Sequence, residues 1–281
     1  MDYSFVDDFT FVSDALKISG ASLCERIGIS RSFVMSVLNG THPVSPRLLE
    51  AFYSFAYQAG LRINKGTEEI LLELHDQNLC FHGSRNGLGQ ILPDGSRKDC
   101  DFGAGFYLGT NYLQAASFVF GSKTGSVYAF SFDKTGLKGS VFHCDLEWML
   151  LVCYYRGKLN DYKEHPLLKQ IVQKSEGVDY IIAPIADNKM FQVMRQFGDG
   201  EINSEEALHA LSASSLGEQV VLKTSQAISH LQMLSHLYLC EEEKKSLRLH
   251  GEERSKEVET KLKLAKREFR SSGKYIDEVL L

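Results

Sequence analysis

Residues 101–110 have the sequence DFGAGFYLGT, and residues 79–84, some twenty positions earlier, have the sequence LCFHGS. Both are short apolar runs interrupted by glycine, a pattern typical of strands that end in tight turns. Similar runs follow, with helical patterns between them: SVYAFSF (126–132), SVFHC (140–144) and VDYIIAPIAD (178–187). The alternation predicts an α+β domain, which we place at residues 78–236.

The sequences on either side of this domain show helical periodicity. Apolar residues recur at helical spacing through residues 1–77, which predicts an all-α bundle. After Thr224 the pattern is again helical, and residues 237–281 form a charged tail with sparse apolar positions, which predicts a solvated helix. The predicted architecture is therefore a helical bundle, an α+β domain and a helical tail.

The segment from Ser22 to Phe52 resembles the helix-turn-helix of phage-repressor-like regulators. The first helix is expected to end near Ile27, Gly28 to lie in the turn, and Ser30 to begin the second helix. If this bundle binds DNA, the contacting side chains are expected to be those of Arg31, Ser32, Ser36 and Asn39.

Charge does not by itself indicate a nucleic-acid partner. The chain carries a formal net charge of -5, and residues 1–60 hold more acidic than basic side chains, so attraction to phosphate would be weak. Docking of a protein, or pairing of two copies through the bundle, is the alternative use of such a fold.

Several classes of protein are excluded or disfavoured by missing patterns. The sequence has no GxSxG, GxxxxGK[ST] or HExxH motif and no Cys-x-x-Cys pair, so we predict no metal site. It also has no run of 18 apolar residues, and its N-terminus is acidic where a secretion signal would be basic. We therefore expect a cytoplasmic protein with no membrane association.

Six blocks occur in an order that resembles the ADP-ribosyltransferase superfamily of the His-Tyr-Glu type, and the closest likeness is to DUF3990, a little-characterised bacterial family of small domains of unknown function. The resemblance covers about Leu79 to Leu234. The blocks are His82-Gly83-Ser84, Asp101 to Leu108, Tyr128 to Asp133, Trp148 with Arg156, Asp179 to Asp187, and Glu218 to Leu222. The resemblance implies the small split β-sheet of that superfamily, with NAD as the substrate.

The resemblance also implies roles for individual residues. His82 would bind the adenosine-side ribose of NAD, and the backbone of Gly83 would pair with the nicotinamide amide. Tyr107 would stack on the nicotinamide ring, with Phe118 as a second aromatic wall. Ser84 and Gly105 complete the expected NAD-binding set.

Two neighbouring residues are candidates for the third catalytic residue. The superfamily has a Glu at the start of a strand, whereas the DUF3990-like pattern has a Gln at the position of Gln219, with Glu218 immediately before it. The two side chains of adjacent strand residues point to opposite faces, so only one can enter a pocket. A Gln could hold the ribose 2′-OH but could not act as a base.

Four other residues of these blocks can be explained by structural roles. Asp101 and Asp187 fit turn or cap positions as well as substrate contacts. Trp148 is expected to be buried, and Arg156 is expected to pair with an acidic side chain.

Three functions remain in view. The leading hypothesis is a toxin- or phage-defence-type enzyme, in the manner of toxin–antitoxin systems, that transfers ADP-ribose from NAD to an unknown macromolecule, protein or nucleic acid, and releases nicotinamide. The second is a regulatory protein that binds NAD or an ADP-ribose derivative with little turnover and acts through its helix-turn-helix. The third is an NAD glycohydrolase.

Overall fold

The computed structural model describes residues 3–212 and 217–281 of the chain. It divides into two compact units that are discontinuous in sequence. The first contains residues up to Leu88, residues 111–131 and residues 232–249; the second contains the described residues of 89–110, 132–231 and 250–281. The positions that we expected to separate domains, 77/78 and 236/237, both lie within the first unit.

The N-terminal part of the first unit consists of helices joined by short turns. Ser19 and Ser45 begin two of them, because each side chain accepts a hydrogen bond from a backbone N–H three residues later. The helices are α1 (Phe5–Ala15), α2 (Gly20–Ile27), α3 (Arg31–Leu38), α4 (Pro46–Gln58) and α5 (Ile63–His75).

Helices α2 and α3 are each eight residues long and are joined by three residues. Gly28 adopts a φ of +68° and ends α2 in the left-handed conformation that glycine tolerates. Ser30 occupies the N-cap of α3, as predicted, although its side chain makes no capping hydrogen bond. The apolar faces of the helices meet in a core that includes Phe5, Leu23, Val34, Leu48 and Phe52.

The first unit also contains strands β1 (Leu79–Ser84), β3 (Ser126–Phe132) and β7 (Leu231–Tyr238), in the order β1-β3-β7. Strands β1 and β3 are antiparallel, with His82 opposite Tyr128 and Phe81 opposite Ala129. Helix α6 (Tyr112–Val119) begins with a capping box formed by Asn111 and Gln114.

Strand β7 corrects the prediction that the chain is helical after Thr224. Only the five-residue helix α11 (Ser225–Ser229) follows that position before the strand begins. The sequence LQMLSHLY is compatible with either period, because its apolar residues fit both a helical and an extended pattern. Tertiary packing beside β3 decides the outcome.

The second unit contains strands β2 (Phe106–Gly109), β4 (Gly139–Val141), β5 (Tyr180–Pro184) and β6 (Glu218–Leu222), in the order β4-β5-β6-β2. Strand β6 pairs antiparallel with both β5 and β2, and β4 pairs parallel with β5. The helices of this unit are α7 (Leu146–Tyr155), α8 (Pro166–Gln173), α9 (Asn188–Gly198), α10 (Ser204–Ser212) and α11.

The C-terminal region is helical, as predicted, and consists of α12 (Glu241–Glu268) and α13 (Ile276–Val279). The expectation of a solvated helix was wrong for both halves of α12, since Leu247 in the first half is 6% exposed and belongs to the core of the first unit. Val258 and Ala265 of α12 are 2% and 3% exposed, and Val258 belongs to the core of the second unit. Val258, Leu262 and Ala265 recur at helical spacing, so the few apolar residues share one face.

None of the helices in the described part of the chain is both long enough and apolar enough to cross a bilayer.

Candidate functional site

The residues expected to bind NAD are divided between the two units. His82, Gly83, Ser84 and Phe118 belong to the first unit. Gly105, Tyr107, Glu218 and Gln219 belong to the second.

In the first unit, His82 lies on a face of the β1–β3 pair that carries aromatic side chains. Tyr128 is directly opposite His82, so the two side chains are on the same face. The ring of Tyr128 stacks on that of His236 at a centroid distance of 4.3 Å, and Tyr3 stacks on His236 at 3.8 Å. The Tyr3 hydroxyl forms a 3.0 Å hydrogen bond with Ser126.

Gly83 faces the opposite side of the sheet, where α6 passes very close to β1. A Cβ atom at position 83 would lie 2.3 Å from the carbonyl oxygen of Ala115 and 3.1 Å from a methyl group of Val119. The position therefore requires glycine for packing alone. On the same helix, the side chain of Phe118 is 57% exposed.

Ser84 ends strand β1 and serves the turn that follows. Its hydroxyl donates a 2.5 Å hydrogen bond to the carbonyl oxygen of Gly87. The backbone N–H of Leu88 donates to the Tyr128 hydroxyl at 3.1 Å. The end of β1 is thus fixed by polar contacts within the first unit.

In the second unit, the loop from Asp101 to Gly105 is held by side chains of β2 and of the residue after β6. The Tyr107 hydroxyl donates to the carbonyl oxygen of Gly103 at 2.7 Å and accepts from the backbone N–H of Phe102 at 3.1 Å. Burial raises the pKa of Tyr107 above its usual value, which keeps this hydroxyl a donor.

Lys223 supports the same loop from the other direction. Its ammonium group donates to the carbonyl oxygens of Phe102 and Ala104 at 2.6 and 2.5 Å, and burial lowers its pKa. Gly105 lies against β6, because a Cβ there would come within 2.6 Å of a Val221 methyl group. The loop is therefore ordered by contacts that the motif alone does not reveal.

Gln219 is the better enclosed of the two candidate residues at the start of β6. It is 5% exposed, whereas Glu218 is exposed on the other face of the strand. The carboxamide nitrogen Nε2 donates to Oδ2 of Asp101 at 2.9 Å and to the carbonyl oxygen of Pro184 at 3.0 Å. Both N–H bonds of the amide are accounted for, which leaves Oε1 as its acceptor.

Asp101 is itself paired with Arg156, which confirms that Arg156 pairs with an acidic side chain. Nε of Arg156 donates to Oδ1 of Asp101 at 2.8 Å, and Nη2 contacts the same oxygen. Arg156 also donates to the carbonyl oxygen of Ala186 at 3.1 Å and lies over the ring of Phe191 at 4.1 Å. The carboxylate of Asp101 is 6% exposed, so this pair is largely removed from water.

Tyr107 and Gln219 share one face of the second unit's strands. Tyr107 is opposite Val221 and Gly109 is opposite Gln219, so the two side chains are diagonal neighbours. Such neighbours are separated by about 7–8 Å, a distance that one small ring can span.

The other expected structural roles are also observed. Trp148 is fully buried in α7, as predicted. Asp187 is the N-cap of α9 and accepts from two backbone N–H groups, and it forms a 3.3 Å ion pair with Arg254. Among the residues that the structure describes, no group of His, Cys, Asp and Glu side chains has the arrangement of a metal site.

The residues proposed for DNA contact lie on or next to α3. Arg31, Ser32 and Asn39 are exposed. Ser36 is half-buried, and its hydroxyl donates to the carbonyl oxygen of Phe33 at 2.7 Å. Three of the four side chains are therefore accessible to a ligand.

Comparison with known families gives one match. The model of a family described as "Protein of unknown function (DUF3990)" matches residues 79–233, more than half of the chain. The chain is a DUF3990 protein. The resemblance to DUF3990 inferred from the six motif blocks is thus confirmed, and its extent agrees closely with the matched range.

The DUF3990 region begins at β1 and ends within β7, so it draws on both compact units. His82, Tyr107, Gln219 and the Asp101–Arg156 pair all lie inside it, whereas the α2–α3 pair and α12 lie outside. No curated protein and no solved structure matches this DUF3990 chain.

Proposed function

We propose that this DUF3990 protein is an NAD-dependent ADP-ribosyltransferase, which transfers ADP-ribose to a macromolecular acceptor and releases nicotinamide. The observation that supports the proposal best is the fixed carboxamide of Gln219. Its two N–H bonds are directed to Asp101 and Pro184, and it shares a strand face with Tyr107. The site thus offers a single oriented acceptor beside an aromatic ring.

The reaction breaks the bond between nicotinamide and the ribose C1′ atom. The electron pair leaves with the nicotinamide nitrogen, which loses its positive charge, and positive charge develops on the ribose as it does in glycoside hydrolysis. The acceptor nucleophile then bonds to C1′ and loses a proton.

Each element of the chain has a limited task in this scheme. Oε1 of Gln219 accepts the hydrogen bond of the ribose 2′-OH, and the Tyr107 ring stacks on the nicotinamide. Orientation of the substrate and stabilisation of the developing charge supply the catalysis, because no protein nucleophile is required.

The test is incubation of the full chain with NAD labelled on the adenine ring, following nicotinamide release and label transfer together. Release with transfer to an added extract supports the transferase. Release with free ADP-ribose as the product would identify a glycohydrolase. Tyr107→Ala is expected to abolish release, while Tyr107→Phe retains the ring and is the matched control.

A regulatory function is the second candidate, and two observations favour it. An amide at position 219 cannot act as a base, and helix α3 with its C-cap presents the exposed side chains of Arg31, Ser32 and Asn39. In this case the protein would bind NAD or an ADP-ribose derivative without turnover and bind DNA or a protein through the helical part.

The two candidates are separated by calorimetry with NAD and by anisotropy with labelled duplex DNA. NAD affinity without nicotinamide release favours the regulatory protein. DNA affinity that falls in Arg31→Ala but not in Lys17→Ala, and that weakens as salt rises, would assign the DNA contact to α3.

For the first candidate, the transferase, we also propose a biological role and an oligomeric state. We propose a role in the cytoplasm as a toxin or phage-defence effector, and pairing of two copies through the helical part. Sedimentation of the full chain tests the pairing, and depletion of cellular NAD on expression tests the toxic activity.

A further inference from the structure

We infer that Asp101, held by Arg156, is a positioning residue that fixes the orientation of the Gln219 carboxamide. We further infer that Asp101 is the reason why position 219 carries an amide in place of a carboxylate. The inference rests on the proposed function for its catalytic consequence. Its structural part stands on the contacts of the second unit alone.

The orientation of the carboxamide follows from the groups around its nitrogen. Nε2 lies within hydrogen-bond distance of Asp101 Oδ2 and of the Pro184 carbonyl oxygen, and neither a salt-bridged carboxylate nor a carbonyl can donate. A reversed amide would place Oε1 against two acceptors in a buried site, which is strongly unfavourable. Only one orientation is therefore compatible with these neighbours.

Asp101 can impose this orientation because its own position is fixed. Oδ1 is held by two nitrogens of Arg156, and the backbone N–H of Ala186 approaches Oδ2 at 3.4 Å. The guanidinium is fixed in turn by the Ala186 carbonyl oxygen and by the ring of Phe191. Asp101 and Gln219 are separated by 118 positions, so this arrangement depends on the fold.

The same contacts explain the residue type at position 219. A glutamate there would have no N–H to give to Asp101 or Pro184, and its charge would lie beside that of Asp101 in a site with little water. An acid at 219 therefore requires a donor at 101. The two positions are therefore expected to carry one acid and one amide, with the amide preferred at 219 because it also donates to Pro184.

The experiment exchanges these groups one at a time and then together. In Asp101→Asn, the amide oxygen stays with Arg156 and the amide N–H groups face Gln219, which turns its carboxamide around. We expect the kcat for nicotinamide release to fall by about 10- to 100-fold with little change in KM, and the Tm to change by only a few degrees. Asp187→Asn is the matched control, because Asp187 is also paired with an arginine, but its carboxylate caps helix α9.

Gln219→Glu alone is expected to lower both the Tm and the activity. The double variant Asp101→Asn/Gln219→Glu restores a donor–acceptor pair with its direction reversed. We expect its Tm to lie above that of Gln219→Glu but below that of the unmodified chain, because the Pro184 carbonyl oxygen still lacks a donor, and its nicotinamide release to exceed that of either single variant. Such recovery in a double variant is a direct measure of coupling between the two positions.

The Tm and the activity decide different claims. If the losses of Tm in the two single variants simply add in the double variant, or if Asp101→Asn leaves kcat unchanged in an active enzyme, the positioning role is overturned. If the double variant recovers part of its Tm but no variant releases nicotinamide, positioning is upheld and the proposed function fails.

Discussion

Replacement of Gly83 by alanine is expected to force strand β1 and helix α6 apart. The added methyl group would lie 2.3 Å from the Ala115 carbonyl oxygen and 3.1 Å from a Val119 methyl group. Non-bonded heavy atoms prefer separations of about 3.5 Å or more, so the two elements must separate by about 1 Å. The nearest obstacle is backbone, which cannot move aside by a rotamer change.

The cost follows from the packing that this movement disturbs. Phe81 and Ala116, on either side of the contact, are fully buried in the core of the first unit. Overpacking of a core costs about 1–3 kcal/mol, and we expect the upper end here because a whole helix must shift. For a chain of this size, about 3 kcal/mol lowers the Tm by about 6–12 °C.

Urea and thermal unfolding followed by circular dichroism measure this loss. Gly66→Ala is the matched control, because position 66 is inside helix α5 with nothing within 4 Å of an added Cβ. That variant is expected to be more stable by about 0.5–1 kcal/mol. A Gly83→Ala chain as stable as the unmodified one would refute the close-packing argument and leave NAD binding as the reason for glycine.

Three further predictions concern other parts of the molecule. Tyr107→Phe removes a hydroxyl with two hydrogen bonds and should cost about 1–2 kcal/mol in urea unfolding, while nicotinamide release stays within a few-fold because the ring remains. Burial raises the pKa of Asp8 to about 6, although Tyr53 donates a hydrogen bond to its carboxylate. Asp8 therefore binds its proton more tightly in the folded than in the unfolded chain, so the free energy of unfolding falls as the pH rises from about 4 to 6. Asp8→Asn should therefore raise the Tm at pH 7.5, and this gain should become smaller below pH 6 and vanish near pH 4. An equal gain in Tm at pH 7.5 and at pH 4 would contradict this. Val258→Ala should lower the free energy of unfolding in urea by about 2 kcal/mol. Leu264→Ala, on the same helix but half exposed, should lower it by less than about 0.5 kcal/mol. Equal losses would show that the helix is solvated on all sides.

Local signals in the sequence predicted much of the secondary structure. Ser30 is the N-cap of α3, as expected, and Gly28 takes the left-handed conformation in the expected turn. The side chains of Ser19 and Ser45, which cap α2 and α4, are signals of the same kind. Such signals are reliable when the determining groups lie within one turn of each other.

The remaining features depend on partners far away in the sequence. Strand β7 has a pattern that fits a helix equally well, and only its neighbour β3 makes it a strand. The periodicity of residues 258–265 was hidden among charges until the core that they cover was known.

The candidate site shows the same division. Tyr107 and Gln219 were identified by motif, but the support from Lys223 and the partnership with Asp101 were not. One local signal did exist, since Asp101 and Arg156 both stand inside motif blocks and Arg156 was expected to pair with an acid. What the sequence lacks is any sign of which acid, because that choice is made by the fold.

The interleaving of the two units affects how the chain can fold during its synthesis. The polypeptide passes from one unit to the other at five places, and each unit is completed only by residues after 231. Translation adds residues in order at about 5–20 per second, so β7 is synthesised many seconds after β1. A nascent chain that ends before residue 232 lacks part of both cores. Under the proposed function, NAD consumption could therefore begin only after residues beyond 231 have been synthesised.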